Sequence, residues 1–345
     1  MKSILLVRLS AMGDLVQSLG AVASLHKHRP DCRVTFVTQR EWAPILNGIA
    51  GIDRVVAFNR RGGLPALWRL RHQLRSESYD CALDLQGNWK SALVTRLSRA
   101  RHRVGMANDW RQEPRSQCLL THVLACDAMP HPARAAWELV KHVAPEAGFH
   151  HPSLVASKSE ILDERAVLTH VGIDVAKPFR VIVVTETSDP RALRPASVRE
   201  FVRDSMPTLL LLGPGESGMP TPQGKVVRHG RGDVRRMIAL GALVARAGGE
   251  VLGPDQGATH VLLASGASGR VFFGSQDPRR TAPPAAKAFV RKGDLACRPC
   301  RQRRCRNPEG VLCMEFRPDT VGGVEPMLPP VGAIGSGPWL QDDLG

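Results

Sequence analysis

The first forty residues alternate between a short apolar run, an amphipathic stretch and a second apolar run. The apolar runs at 2–8 and 33–38 predict two buried parallel strands. Between them, apolar residues recur at helical spacing over 15–25. This order predicts a βαβ unit, which places Gly13 and Asp14 at the carboxyl end of the first strand, where open α/β sheets bind ligands.

The same alternation continues along most of the chain. Further strands are predicted at 54–58, 79–85, 103–105, 180–185, 208–213, 249–252 and 270–273, and helices at 64–74, 89–97, 137–143, 160–171, 196–204, 233–247 and 259–265. The pattern predicts an α/β protein with two Rossmann-like, doubly wound domains that face each other across a cleft. We place these domains at 1–175 and 176–327, and we expect the tail at 328–345, in a Pro- and Gly-rich stretch, to be disordered.

The composition of the chain restricts the classes of molecule that it is expected to bind. The 345 residues carry 47 Lys and Arg against 32 Asp and Glu, a net charge of +15, which favours anionic partners such as phosphorylated small molecules, anionic lipid or nucleic acid. Nucleic acid is not expected, because no aromatic stacking platform accompanies the basic residues. The sequence shows no apolar run long enough to cross a membrane and no signal peptide, so we expect a cytoplasmic protein with reduced or metal-bound cysteines.

Asp14 has two interpretations. Aspartate is a favoured helix cap, and the carboxylate stands where a helix begins. The same position suits a catalytic group at the carboxyl end of a strand. Taken alone, the local pattern favours the cap.

A second polar loop, 253–260, lies between a predicted strand and a predicted helix. Asp255 has the chemistry to accept hydrogen bonds from sugar hydroxyls, Gly257 opens a helix N-terminus that suits anions, and His260 can reach a phosphate or sugar oxygen. The alternative is a simple turn with a histidine packed on the helix. Glu216, after a Gly-Pro-Gly turn, suits a ribose diol or an ordinary loop.

Four cysteines cluster near the end of the second predicted domain. They follow the pattern Cys-x2-Cys-x4-Cys-x7-Cys at Cys297, Cys300, Cys305 and Cys313. Four thiolates at this spacing can close a structural zinc site, and the interleaved arginines are expected to lower the thiol pKa values. Two disulfides or free buried thiols are the alternatives.

Taken together, these segments resemble glycosyltransferase family 9, the bacterial lipopolysaccharide heptosyltransferases. The resemblance spans nearly the whole chain. It is carried by residues 4–14, by 79–87 with Lys90 and Ser91, by 253–260, and by 273–281, and the cysteine cluster looks like one that many members carry.

The resemblance implies a GT-B fold, with the acceptor bound by 1–175 and the nucleotide sugar by 176–327. It implies inverting transfer of a heptose or related sugar from an ADP-sugar to a lipid-linked saccharide such as lipopolysaccharide core, with no cofactor needed for catalysis. Asp14 matches the general base that deprotonates the acceptor hydroxyl, and Gly13 and Gln86 fall on the acceptor side. The donor-binding positions are Thr185, Thr187, Arg191, Arg194, Glu216, Asp255, Gln256, Gly257 and His260.

One position departs from the family pattern. The lysine that stabilises the leaving diphosphate falls on Ala192, and the tryptophan that follows it is replaced by Arg194. Arg191 or Arg194 is expected to supply the missing charge, because guanidinium suits phosphate. The alternative function is a non-catalytic or altered-donor nucleotide-sugar binding protein of this family.

A basic, partly apolar stretch predicts where a lipid-linked acceptor could be met. It contains Arg60, Arg61, Trp68, Arg69, Arg71 and Arg75. Such a helix suits the anionic inner face of the membrane and implies peripheral attachment. The alternative is a solvated helix face.

Overall fold

The computed structural model describes residues 1–126, 131–213, 226–230, 233–283, 286–293 and 295–324. These residues form two compact units, Met1–Pro152 and Ser153–Met327. The predicted tail at 328–345 lies outside the described residues. In the described part of the chain, no helix combines the length and apolar character needed to cross a membrane.

The first unit is built on a six-stranded sheet. Its strands are β1 (Ser3–Val7), β2 (Arg33–Gln39), β3 (Arg54–Phe58), β4 (Cys81–Asp84), β5 (His102–Met106) and β6 (His122–Leu124). Its α-helices are α1 (Met12–His28), α2 (Gly63–Arg75), α3 (Trp89–Leu97) and α4 (Pro132–Val143). Every strand pair is parallel, in the order β3-β2-β1-β4-β5-β6, which is the order of a Rossmann sheet.

The second unit repeats this plan with one added strand. Its strands are β7 (Arg180–Val184), β8 (Thr208–Leu212), β9 (Val226–Gly230), β10 (Glu250–Pro254), β11 (Ser268–Phe273), β12 (Lys287–Arg291) and β13 (Val321–Val324). Its α-helices are α5 (Lys158–His170), α6 (Pro195–Phe201), α7 (Val234–Arg246), α8 (Gly257–Ala264) and α9 (Pro278–Thr281). The order is β13-β12-β11-β10-β7-β8-β9, and only β13 is antiparallel to its neighbour.

The cores explain why these runs form central strands. All five side chains of β1 and all five of β7 are buried, as expected for parallel strands covered on both faces. In each unit the chain order reverses beside that strand, between β1 and β4 and between β7 and β10. Such a reversal leaves a crevice at the carboxyl ends of the strands, which is where ligands bind.

Helix α5 sits in the second unit. It packs on α7, where Glu160 Oε1 lies 2.7 Å from Arg235 Nε. Hydrogen bonds from Arg235 lower the pKa of Glu160 to about 2. The second unit therefore begins at Ser153 rather than at the predicted boundary after residue 175.

The predicted fold class is confirmed, because both units are doubly wound parallel α/β sheets. The predicted elements recur with shifted ends. Four strands were missed, namely β6, β9, β12 and β13. Among them, β6 is three residues long and β13 has two glycines in four residues, so neither gives a clear apolar run.

Candidate functional site

Asp14 lies at the crevice of the first unit. It is in the first turn of α1, directly after the loop that leaves β1, and Gly13 precedes it in that turn. The N-cap is Ala11, which has no side chain to cap the helix. Asp14 therefore does not hold the N-cap position that its local sequence favoured, and its charge suits the positive end of the helix.

Arg8 is the ionic partner of Asp14. Its Nη2 lies 2.5 Å from Asp14 Oδ2, and another guanidinium nitrogen donates to the Leu85 carbonyl. The Arg8 side chain is 5% exposed, whereas that of Asp14 is 25% exposed. The arginine is thus buried and fixed, and the carboxylate stays open to a ligand.

Gln86 follows β4 and reaches the same loop. Its Oε1 accepts hydrogen bonds from the backbone N–H groups of Leu9, at 2.8 Å, and Ser10, at 3.2 Å. Its Nε2 donates to Ser10 Oγ at 3.2 Å. Its side-chain amide therefore faces the loop that precedes Asp14.

A buried ion pair between Asp84 and Arg111 holds the backbone next to Gln86. Asp84 Oδ1 accepts from the N–H groups of Gln86 and Gly87, and Asp84 Oδ2 lies 2.9 Å from Arg111 Nη2. Both side chains of the pair are 0% exposed. Gly87 has φ +79°, and a Cβ there would lie 3.1 Å from the Arg111 backbone, so glycine fits this turn.

The crevice of the second unit holds the other predicted group. His260 Nε2 lies 2.9 Å from Asp255 Oδ1, and Thr281 Oγ1 donates to Asp255 Oδ2 at 2.8 Å. His260 is 4% exposed. Gly257 is the first residue of α8, so the free N–H groups of a helix start lie in this loop.

Gln256 links this loop to the loop after β7. Its Nε2 donates to Asp189 Oδ2 at 3.1 Å. Arg191 makes two side-chain hydrogen bonds to the same carboxylate, at 3.0 and 2.7 Å. Burial works to raise the pKa of Asp189, but the hydrogen bonds from Arg191 outweigh it and lower that pKa.

The two arginines proposed to replace the missing lysine differ in their surroundings. The charge of Arg191 is balanced by Asp189. Arg194 instead donates to the carbonyl oxygens of Thr187, Asp189 and Ala192, at 3.0–3.1 Å. Within the described part of the chain, Arg194 forms no ion pair, so it remains a net cation at this edge. Burial lowers its pKa, which is consistent with a partly desolvated charge.

Three hydroxyl groups of the second unit are buried without a hydrogen-bond partner among the described residues. They belong to Thr185, Thr259 and Ser275, which follow β7, lie in α8 and follow β11. Of the remaining predicted donor residues, Thr187 is exposed, and Glu216 lies outside the described residues. Buried hydroxyls without a partner are unusual, so Thr185 and Ser275, which follow β7 and β11, are candidate contacts for a ligand.

The four clustered cysteines are free thiols. Burial raises the pKa of Cys313 to about 11, and the thiols of Cys300, Cys305 and Cys297 act in the same direction. The predicted lowering by arginines is therefore not found at Cys313. Among the residues described, no three His, Cys, Asp or Glu side chains are arranged to hold a metal ion. The arrangement does not fit a structural zinc as it stands, and the zinc site stays a prediction.

The sequence alone did not single out several residues of these two groups. Arg8, Asp84 and Arg111 organise the loop of Asp14, while Asp189 and Thr281 organise the loops after β7 and β10. Only their position in the sequence could have pointed to them, because four of them lie at or just beyond strand ends or near motif residues. Their pairing depends on strand register, which the sequence does not display.

Comparison with known proteins shows what the chain is similar to. The model of glycosyltransferase family 9 (heptosyltransferase) matches residues 67–188. Lipopolysaccharide heptosyltransferase 1 of Escherichia coli (strain K12) is 31% identical over 118 residues, which is 31% of this chain and 36% of that protein. The protein of the same name from Salmonella typhimurium is 24% identical over 301 residues, 80% and 89% of the two chains. The chain matches about a third of the length of the first curated relatives.

Solved structures show the same fold. A glycosyl transferase family 9 structure from Veillonella parvula DSM 2008 has a TM-score of 0.73 at 14% identity, covering 83% of this chain and 84% of that one. An E. coli heptosyltransferase solved with ADP-2-deoxy-2-fluoro heptose has a TM-score of 0.64 at 19% identity, covering 91% and 96%. The fold class is therefore GT-B. The chain is similar to glycosyltransferase family 9, the heptosyltransferase family, over the residues that the family model matches.

Proposed function

We propose that this protein transfers a heptose, or a related sugar, from an ADP-sugar to a saccharide acceptor of the lipopolysaccharide type, with inversion at the anomeric carbon. The acceptor oxygen forms the new bond to the anomeric carbon while the bond from that carbon to the diphosphate oxygen breaks. The acceptor proton passes to a carboxylate, and ADP leaves with the electron pair. The observation that carries this proposal is the partly exposed carboxylate of Asp14, which is bound by Arg8 and lies beyond the carboxyl end of β1.

Asp14 is the general base of this proposal. Its Oδ2 is bound by Arg8, which fixes the carboxylate and leaves its other oxygen to take the proton of the acceptor hydroxyl. A base must be correctly aimed before the acceptor arrives, and the buried guanidinium of Arg8 holds the carboxylate in place. No step of this reaction passes through a metal.

The donor half of the proposal rests on the second unit. Asp255 and His260, which are bonded to each other, are the proposed contacts for sugar hydroxyls or phosphate oxygens, and the start of α8 suits an anion. Arg194 is the proposed cation for the leaving diphosphate, because Arg191 is already neutralised by Asp189. A neighbour in fold was solved with an ADP-heptose analogue, which supports the choice of nucleotide.

Calorimetry with ADP tests this donor site. We expect wild-type protein to bind ADP more tightly than UDP. His260→Ala should weaken ADP binding by about 10- to 100-fold, because a hydrogen bond to a charged group contributes about 1.5–3 kcal/mol. His170→Ala, at an exposed position at the end of α5, is the matched control and should bind ADP as wild type does. If ADP does not bind wild-type protein, the proposed donor is wrong.

We further propose that α2 contacts the anionic inner surface of the membrane, where a lipid-linked acceptor would lie. Ala66, Leu70 and Leu74 bury one face of this helix. On the other face Leu64 is 81% exposed and Trp68 is 63% exposed. Exposed arginines surround them, at positions 60, 61, 69 and 71. Apolar side chains within a basic rim are typical of helices that lie on anionic lipid.

Vesicle sedimentation checks this surface. Wild-type protein should bind vesicles containing phosphatidylglycerol and should not bind pure phosphatidylcholine. The double variant Leu64→Ser/Trp68→Ser should bind at least about tenfold more weakly, because each buried apolar side chain contributes about 1.5–3 kcal/mol. Leu162→Ser removes another exposed leucine, 62% exposed on α5, and should leave binding unchanged. Equal losses in both variants would contradict a specific role for α2.

A further inference from the structure

We propose that Gln86 is a positioning residue for Asp14, acting through the main chain of Leu9 and Ser10. The inference rests on the proposed role of Asp14 as the base. It assigns Gln86 a task different from contact with the acceptor sugar, which the family resemblance implied.

The loop between β1 and α1 has no side-chain cap of its own. The chain leaves β1 after Val7 and enters α1 at Met12, so only a short segment sets where the helix begins. The N-cap, Ala11, fastens nothing through its side chain. The backbone N–H groups of Leu9 and Ser10 therefore need an acceptor from elsewhere in the fold.

Gln86 provides that acceptor. Its single Oε1 accepts from both N–H groups, at 2.8 and 3.2 Å, and the residue is 8% exposed. Its Nε2 is turned to Ser10 Oγ. The amide thus binds the loop on both of its polar atoms, which leaves Gln86 poorly placed to act as a sugar ligand.

The residues that hold Gln86 are buried and bonded to one another. Its own N–H donates to Asp84 Oδ1 at 3.1 Å, and Asp84 is bound by the buried Arg111. Asp84 is also the β4 partner of Val7 in the sheet register. A displacement of Gln86 would therefore move the loop, while the strands on either side would stay in place.

The position of the Asp14 carboxylate depends on this loop. Asp14 lies four residues after Ser10, in the first helical turn, and reaches back to Arg8 on the other side of the loop. If the loop shifts, the carboxylate moves relative to the acceptor hydroxyl. A misplacement of about 1 Å in a reacting group can cost about 100-fold in rate.

Steady-state kinetics on three variants test the proposal, with an ADP-sugar and saccharide acceptor. Gln86→Met keeps the length of the side chain and removes the acceptor oxygen. We expect kcat to fall about 10- to 100-fold while the donor KM changes less than about twofold, because only the base is displaced. Gln86→Glu keeps an oxygen for both N–H groups, and the Ser10 hydroxyl can turn to donate to it. It should recover most of the lost kcat.

Gln112→Met, at an exposed glutamine of the same unit, is the control and should match wild type. Hydrogen exchange should be faster over residues 8–14 in Gln86→Met and unchanged in the other strands of the sheet. Wild-type kcat in Gln86→Met, or no recovery in Gln86→Glu, would overturn the proposal. Asp14→Asn is measured in parallel: if it stays active, the base assignment itself is wrong, whereas an inactive Asp14→Asn beside an active Gln86→Met removes only the role of Gln86.

Discussion

Asp14→Asn should lower the rate of sugar transfer by about 10²- to 10⁴-fold, the range expected when a general base is lost. Asparagine keeps the size of the side chain and an oxygen for Arg8, so the loop after β1 should hold its shape. It cannot take the acceptor proton. We therefore expect kcat to collapse while ADP affinity, which we have proposed to depend on the second unit, stays at the wild-type value. Release of ADP from an ADP-heptose donor in the presence of acceptor measures the rate, and calorimetry measures the affinity.

The matched control for this experiment is Asp31→Asn, which removes an exposed aspartate of the same unit. It should transfer sugar at the wild-type rate. Full turnover by Asp14→Asn would show that another group takes the proton. A wild-type protein that binds ADP and transfers nothing would instead support the alternative of a non-catalytic nucleotide-sugar binding protein.

Arg111→Met should destabilise the first unit by about 3–5 kcal/mol, because it leaves the Asp84 carboxylate buried without its charge partner. Both side chains are 0% exposed, so water cannot take the place of the guanidinium. Urea unfolding followed by tryptophan fluorescence reports this unit well, since five of the six tryptophans lie in the first 152 residues. The midpoint should move to lower urea with an unchanged slope.

Two further variants serve as controls for Arg111→Met. Asp84→Asn in the Arg111→Met background removes the unpaired charge and keeps an oxygen for the N–H groups of Gln86 and Gly87, so it should recover part of the loss. Lys177→Met breaks a surface pair with Asp174, at 3.4 Å and 78% and 56% exposed, and should cost less than about 1 kcal/mol. A loss below about 1 kcal/mol in Arg111→Met would contradict the argument.

The fold was largely predictable from the sequence because it depends on local patterns. Uninterrupted apolar runs such as β1 and β7 indicate buried parallel strands, and their alternation with helices leads to two Rossmann-like sheets. The boundary between the units was not predictable in the same way. Helix α5 belongs with the second unit because of partners on α7, such as Arg235, that lie about 70 positions later in the chain.

The site was predictable only as far as its motif residues. Asp14, Asp255 and His260 stand beside glycines at strand ends, which is a local signal. Their supports depend on register: Gln86 reaches Leu9 only because β4 lies beside β1 with Asp84 opposite Val7. The choice between Arg191 and Arg194 also required the structure. The sequence does not show that Asp189 pairs with Arg191 and not with Arg194.

The contacts made by Gln86 and Arg111 also determine when the loop of Asp14 can form during synthesis of the chain. The hydrogen bond from Leu9 to Gln86 spans 77 positions, and the ion pair beneath it adds Arg111. A chain growing from its N-terminus places residue 14 outside the ribosome early, yet Gln86 and Arg111 emerge roughly 70 and 100 residues later. Such distant contacts form slowly, because a long loop must close before they stabilise anything. Asp14, although made early, thus reaches its working geometry only after the chain has grown past Arg111.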